Sequence, residues 1–166
     1  MNIKPLYLLL ITLISGPGWV LASSAPGNEA SCEKNASTLA HEGKLDEGIA
    51  TIKLCITENP SQAKAHVILG DLLLEKGDSQ QAMASFDKAL ELQPRSSGAK
   101  TGKGIILAQT GDLKTAESIL KDALELNPNP ARTHYELGLI YEKLGDTKGA
   151  LTQFKQGISS HGQETR

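Results

Sequence analysis

The chain has 166 residues, of which 39% are hydrophobic but only 4% aromatic, and its formal net charge is −2. This length suits one ordinary domain with a core of leucine, isoleucine and alanine. With 22% charged residues, the composition is typical of packed amphipathic helices. The small negative charge argues against nucleic-acid binding, because that function requires a basic face.

The N-terminal residues differ in composition from the rest of the chain. Lys4 is followed by an uncharged apolar run at residues 6–14 and by Gly-Pro-Gly at 16–18, before small residues near Ala22. This order of charge, apolar run and small residues predicts a secretory signal peptide at residues 1–22. The apolar run is about half of the ~20 residues that a membrane-spanning helix needs.

We expect cleavage after Ala22 or Ala25, which makes residues 23–28 a linker and leaves no integral membrane segment in the mature chain. The protein would then be exported, either to the periplasm or out of the cell. The alternative is an uncleaved N-terminal anchor that reaches to Ala22, although the Gly-Pro-Gly sequence interrupts it.

A fixed period organises the remainder of the chain. Prolines recur every 34 residues, at Pro60, Pro94 and Pro128. Glycines recur at the same spacing, and three of them precede an aspartate: the positions are Gly43, Gly77, Gly111 and Gly145, with Asp78, Asp112 and Asp146. Gly-Asp ends one helix and caps the next, and each proline ends the second helix. The pattern predicts four helix-turn-helix units at residues 29–62, 63–96, 97–130 and 131–164.

Further positions with small or bulky side chains repeat with the same period. In the second unit they are Leu69, Gly70, Leu73, Ala82, Phe86 and Ala89, and in the fourth Leu137, Gly138, Tyr141, Ala150 and Phe154. Together with the Gly-Asp and proline positions, these residues make the chain resemble the tetratricopeptide repeat family over residues 29–164. The resemblance implies an all-α, right-handed solenoid that binds protein or peptide partners.

The resemblance also implies that the first helices of successive units line a concave groove. We expect its partner-binding residues at outward positions of units two to four, namely Val67, Asp71, Leu74, Thr101, Ile105, Ala108, Tyr135, Leu139 and Glu142. Members that hold a terminal carboxylate use a Lys and Asn pair, where this chain has Glu33 and Ser37. We therefore expect apolar contacts with an extended or helical partner segment.

Two cysteines lie at equal distances from the turn at residues 43–44 in the first unit. Cys32 and Cys55 should therefore stand at the same height in an antiparallel hairpin. In an exported protein we expect them to form a disulfide. The alternative is two small buried thiols that fill space.

No motif in the sequence predicts catalysis. The four histidines lack the spacing of metal ligands. Lys103 is followed by Gly104, where a phosphate-binding loop has Ser or Thr. We expect no enzyme activity, no metal and no cofactor. The leading hypothesis is an interaction scaffold or adaptor in the bacterial cell envelope, and the alternative is a periplasmic, chaperone-like holdase for exported polypeptides.

The last unit has no following unit to cover its second helix. Leu151 and Ile158 should therefore be partly exposed. We expect this end to dock a second copy, which would give a homodimer through the C-terminal unit, or a partner. The alternative is that residues 159–166 fold back as a short cap.

Overall fold

The computed structural model describes residues 26–127 and 130–164, with the side chains of residues 31–127 and 130–160. The described residues form eight α-helices. Their bounds are α1 Pro26–His41, α2 Leu45–Glu58, α3 Ala63–Glu75, α4 Ser79–Leu92, α5 Ser97–Thr110, α6 Leu113–Leu126, α7 Ala131–Lys143 and α8 Thr147–Glu164. Consecutive helices pair into hairpins, so the predicted all-α solenoid of helical hairpins is confirmed.

The two ends of the chain differ from expectation. The signal peptide predicted at residues 1–22 lies outside the described residues. α1 begins at Pro26, so residues 26–28 of the predicted linker are helical. α8 continues to Glu164, so residues 159–164 extend that helix instead of folding back. None of the described helices is both long and apolar enough to cross a membrane.

Local sequence sets the hairpin turns. Each turn contains a glycine with φ between 79° and 92°, a backbone conformation that glycine adopts readily. In three turns the next residue is an aspartate that caps the second helix. Asp78 Oδ1, for example, accepts a hydrogen bond from the Gln81 N–H at 3.1 Å, and Asp112 and Asp146 cap their helices in the same way. Lys44 in the first turn makes no such bond.

Each hairpin packs on the next through its second helix. Phe86 on α4 is fully buried between Gly70 of its own hairpin and Gly102 of the next, where an added Cβ would overlap the ring. This close approach explains why glycine stands inside these helices, although it costs about 1 kcal/mol relative to alanine. The first helices contact one another in the order α1, α3, α5 and α7 and form a continuous inner layer.

Candidate functional site

The inner layer carries a groove with a volume of about 440 Å³, which we call the inner groove. Its walls are Ser37, Ala40, His41, Ile68, Asp71, Leu72, Leu74, Glu75 and Arg132. Three of these side chains are leucine or isoleucine and four are ionisable. The inner groove therefore offers both apolar and charged contacts.

An ion pair spans the inner groove. Arg132 Nη1 on α7 donates to Asp71 Oδ1 on α3 at 2.8 Å, across 61 residues of sequence. Because α3 and α7 flank α5, the arginine side chain reaches over α5 to meet the aspartate. The exposed fractions of the two side chains are 50% for Arg132 and 32% for Asp71, so the pair is accessible from solvent.

Burial and the Arg132 charge act in opposite directions on the pKa of Asp71. Burial raises the pKa of this carboxyl above its ordinary value of 3.8, and the nearby Glu75 carboxylate acts in the same direction. The Arg132 guanidinium lowers the same pKa but does not offset the loss of hydration. The pKa of Asp71 therefore stays above its ordinary value in spite of the ion pair with Arg132.

The second unit supplies two of the three groove residues predicted from it. Asp71 and Leu74 line the inner groove. Val67, on the same helix, is half-buried and faces α5 instead. A Cβ added to Gly98 of α5 would lie 3.1 Å from Val67 Cγ1, so Val67 packs between neighbouring first helices.

The three residues predicted from the third unit are buried, and the prediction that they face a partner is wrong. The exposed fractions of Thr101, Ile105 and Ala108 are 3%, 6% and 8%. The Thr101 hydroxyl lies 2.9 Å from that of Thr133 on α7, and the Ala108 carbonyl accepts from Lys143 Nζ at 3.2 Å. α7 thus covers the face of α5 that was expected to be open.

The residues predicted from the fourth unit lie outside the inner groove. Tyr135 is 53% exposed and packs on Phe154 of α8, with ring centroids 5.7 Å apart. Leu139 is half-buried and Glu142 is exposed. Tyr135 therefore belongs to the open end of the solenoid.

The contribution of α1 to the inner groove was not predicted. Ser37 and Ala40 stand 34 residues before Asp71 and Leu74, so the repeat period contained the signal for both. His41 and Glu75 also share one position in the repeat, at the last residue of α1 and of α3. The stacking of the helices turns that position toward the inner groove, and no local pattern indicates it.

A second cavity, of about 510 Å³, opens at the C-terminal end between α7 and α8. With Leu151 of α8, we call its walls the end surface: Ala131, Tyr135, Leu151, Phe154, Gly157 and Ile158. Leu151 is 53% exposed and Ile158 is 74% exposed. The end surface is therefore apolar and uncovered within the described part of the chain.

A disulfide crosslinks the first hairpin, and an ion pair joins it to the second. Cys32 and Cys55 form the predicted disulfide, with Cα atoms 6.1 Å apart. The adjacent Glu33 is only 2% exposed, and its Oε2 pairs with Lys64 Nζ of α3 at 2.6 Å. Glu33 Oε1 is buried and finds no hydrogen-bond partner among the described residues. A covalent bond and an ion pair thus both fasten α1.

The side chains of the inner groove are chemically varied. The inner groove presents two carboxylates, a guanidinium, an imidazole and a hydroxyl beside aliphatic side chains. Across the described residues, no three His, Cys, Asp or Glu side chains stand together as a metal site would require. The side chains of the inner groove can make hydrogen bonds, ion pairs and apolar contacts with a ligand.

Comparison with known protein families finds repeats of one kind. Two tetratricopeptide repeat models match the chain, one at residues 63–96 and the other at residues 107–166. No curated protein is similar enough in sequence to count as a relative.

Solved structures of similar fold include TTC0263, MamA and PilW. TTC0263, a thermophilic tetratricopeptide repeat protein of Thermus thermophilus, is 25% identical with a TM-score of 0.70, covering 79% of this chain and 73% of TTC0263. MamA is 21% identical with a TM-score of 0.63, covering 84% of this chain and 82% of MamA. PilW, a widely conserved type IV pilus biogenesis factor, is 17% identical with a TM-score of 0.72, covering 82% of this chain and 64% of PilW. The likeness to MamA and PilW shows the fold alone.

Proposed function

Since the chain belongs to the tetratricopeptide repeat family, we propose that it is a non-catalytic scaffold that holds a segment of a partner protein in the inner groove. The observation that carries this proposal is the groove itself, an open cavity of about 440 Å³ on the inner layer of helices. A peptide segment offers apolar side chains together with polar backbone and charged groups, and the walls of the inner groove can meet each of them.

The two kinds of wall have different roles in this proposal. Ile68, Leu72 and Leu74 bury apolar side chains of the partner segment, which supplies most of the affinity. Asp71 and Glu75 favour a segment with a basic side chain, because the inner groove has two carboxylates and one guanidinium.

We also propose that the protein is exported and acts in the bacterial cell envelope. The predicted signal peptide at residues 1–22 supports export, and so does the disulfide, because such bonds persist in oxidising compartments. The fold of the pilus biogenesis factor PilW is compatible with this location. N-terminal sequencing of protein from the envelope fraction should begin at residue 23 or 26. A chain that still begins at Met1 would identify an uncleaved anchor.

Site-specific crosslinking tests the inner groove. A photoreactive amino acid in place of Glu75, which is exposed in the groove wall, should crosslink the protein to one or two partners in the cells that produce it. The matched control is the same amino acid in place of Lys114, an exposed residue of α6 outside the groove, which should give no such product.

The other outcomes of this experiment discriminate the alternatives. Equal crosslinking from positions 75 and 114 would contradict binding in the inner groove. A broad series of products with many different exported polypeptides, all from position 75, would favour a chaperone-like holdase over an adaptor.

A further inference from the structure

The basic residue near the start of α7 pairs differently from its counterpart in α3. Lys64 stands 68 residues before Arg132, at the same position of its unit, and pairs with Glu33 on the preceding first helix at 2.6 Å. The first helix that precedes α7 is α5, which has Thr101 in the place of Glu33. Arg132 therefore meets no carboxylate at that place and bonds to Asp71, one helix farther away.

The surface of α5 leaves room for this longer contact. Gly98 stands at the repeat position of Arg132 and has no side chain. Thr101 and Ile105 are 3% and 6% exposed, so they add little surface between α3 and α7. The Arg132 guanidinium can therefore lie over α5 and reach Asp71 inside the inner groove. The space that it occupies is equally accessible to a basic side chain of a bound segment.

The contact between Arg132 and Asp71 is easily exchanged. One nitrogen meets one oxygen, Asp71 Oδ1 at 2.8 Å, and no other described residue donates a hydrogen bond to Asp71 Oδ2. Both side chains are accessible to solvent, and an exposed ion pair changes an equilibrium constant by about fivefold at most. A guanidinium that bonds to both oxygens of a carboxylate makes a stronger and more specific pair. An arginine from another molecule can therefore compete with Arg132.

A second carboxylate lies near Arg132 on its own helix. Glu136 follows one helical turn later, at a spacing that brings side chains of a helix together. Burial raises the pKa of Glu136 above its ordinary value of 4.5, and the charge of Arg132 acts in the opposite direction, so the two groups already interact. The guanidinium can therefore turn from Asp71 to Glu136 and keep an acidic partner.

We propose that Arg132 occupies the place of an arginine of the partner segment, which displaces it from Asp71 when the segment binds. The incoming guanidinium bonds to both oxygens of Asp71, with Glu75 one turn away, and the aliphatic residues beside it pack on Ile68 and Leu74. A segment without an arginine leaves Arg132 in place, so the exchange makes the groove selective. This inference rests on the proposed function and adds to it the side chain that the groove recognises.

The test uses the full chain and two synthetic peptides that differ only in charge. One is acetyl-Leu-Arg-Leu-amide, and the other has citrulline, the uncharged isostere of arginine, at the middle position. Each is titrated into isotope-labelled protein at low ionic strength, up to millimolar concentrations, and followed by nuclear magnetic resonance. The arginine peptide should shift the backbone resonances of α3 and the Nε–H resonance of Arg132. It should bind about fivefold more tightly than the citrulline peptide.

Variants separate this exchange from other roles of the ion pair. Arg132→Gln removes the competing guanidinium and should tighten the binding of the arginine peptide by about threefold to fivefold. Asp71→Asn should abolish the difference between the two peptides. The matched control is Arg95→Gln, which makes the same change of charge at an exposed arginine outside the inner groove. This control should bind both peptides as the wild type does.

Several results would overturn the proposal. Unchanged or weaker binding of the arginine peptide to Arg132→Gln would show that Arg132 contacts the ligand or only holds α7 to α3. An Arg132 Nε–H resonance that stays in place when the peptide binds to the wild type would exclude the exchange. Equal affinity for the two peptides, or no binding of either, would contradict recognition of arginine.

Crosslinking from position 75 remains the separate test of the inner groove. Partners captured there would keep the proposed function even if the arginine peptide failed to bind. Exchange of Arg132 by the peptide without any captured partner would contradict the proposed function and leave the recognition of arginine in place.

Discussion

The first and last described hairpins share one 34-residue pattern but present outer surfaces of opposite character. In the first, a disulfide joins α1 to α2, and the exposed face of α1 has the polar residues Ser31, Asn35 and Thr38. In the last, no crosslink is present among the described residues, and α8 exposes Leu151 and Ile158. Among the described residues, the first hairpin therefore presents a polar outer face and the last hairpin an apolar one.

The largest difference should appear when equivalent phenylalanines are removed. Phe86→Ala empties a fully buried site and should lower the free energy of unfolding by about 3–5 kcal/mol. Phe154→Ala, at the same position of the last hairpin, should cost well under half of that because its ring is already partly exposed. Urea denaturation of both variants measures the two losses. Equal losses would mean that another molecule covers the last hairpin in solution.

Reduction of the disulfide should have the next largest effect. The bond joins residues with a sequence separation of 23. Its loss should lower the free energy of unfolding by about 3 kcal/mol, because the unfolded chain gains conformational entropy. Hydrogen exchange should accelerate most in α1 and α2 and least in α7 and α8. A Cys32→Ser, Cys55→Ser variant treated with the same reductant is the control and should not change further. Uniform acceleration along the chain would contradict a local role for the bond.

The ion pair between the exposed Lys64 and the buried Glu33 should respond differently to loss of each partner. Lys64→Ala leaves the Glu33 carboxylate buried without its partner and should destabilise by about 1–3 kcal/mol. Glu33→Val introduces the residue found 34 positions later at Val67 and should be neutral or stabilising by on the order of 1 kcal/mol. Thermal denaturation compares the two. A loss in both variants would show that the pair contributes net stability to the first hairpin.

The smallest expected effect is a dependence on pH that originates in the inner groove and not at the apolar end surface. Folding raises the pKa of Asp71, so the folded chain holds this proton more tightly than the unfolded chain, and the stability from this group falls as pH rises above 3.8. Wild type and Asp71→Asn should therefore be similar at acid pH, with the variant more stable near neutrality.

Urea midpoints of both proteins between about pH 4 and pH 7 measure this difference. Leu151→Asn, a change at the end surface, is the control and should shift the midpoint by the same amount at every pH. A wild type that gains stability over Asp71→Asn as pH rises would show that the Arg132 ion pair outweighs the desolvation of Asp71.

The sequence alone determined the number of hairpins, the positions of their turns and the cysteine pair. Those features depend on local rules, because a Gly-Asp turn, a proline stop and equal distances from one turn all act within a single hairpin. They are therefore visible in the 34-residue period.

Only the tertiary structure decided which outward positions remain accessible. Asp71 and Ile105 occupy the same position in successive repeats, yet one lines the inner groove and the other is 6% exposed. The contact of Arg132 with Asp71 joins helices on either side of α5, and the burial of Glu33 depends on α3. The 34-residue period predicts on which face of its own helix a side chain lies. Whether that face stays accessible depends on how closely the neighbouring helices approach. That distance is set by side chains from several hairpins, so no single repeat determines it.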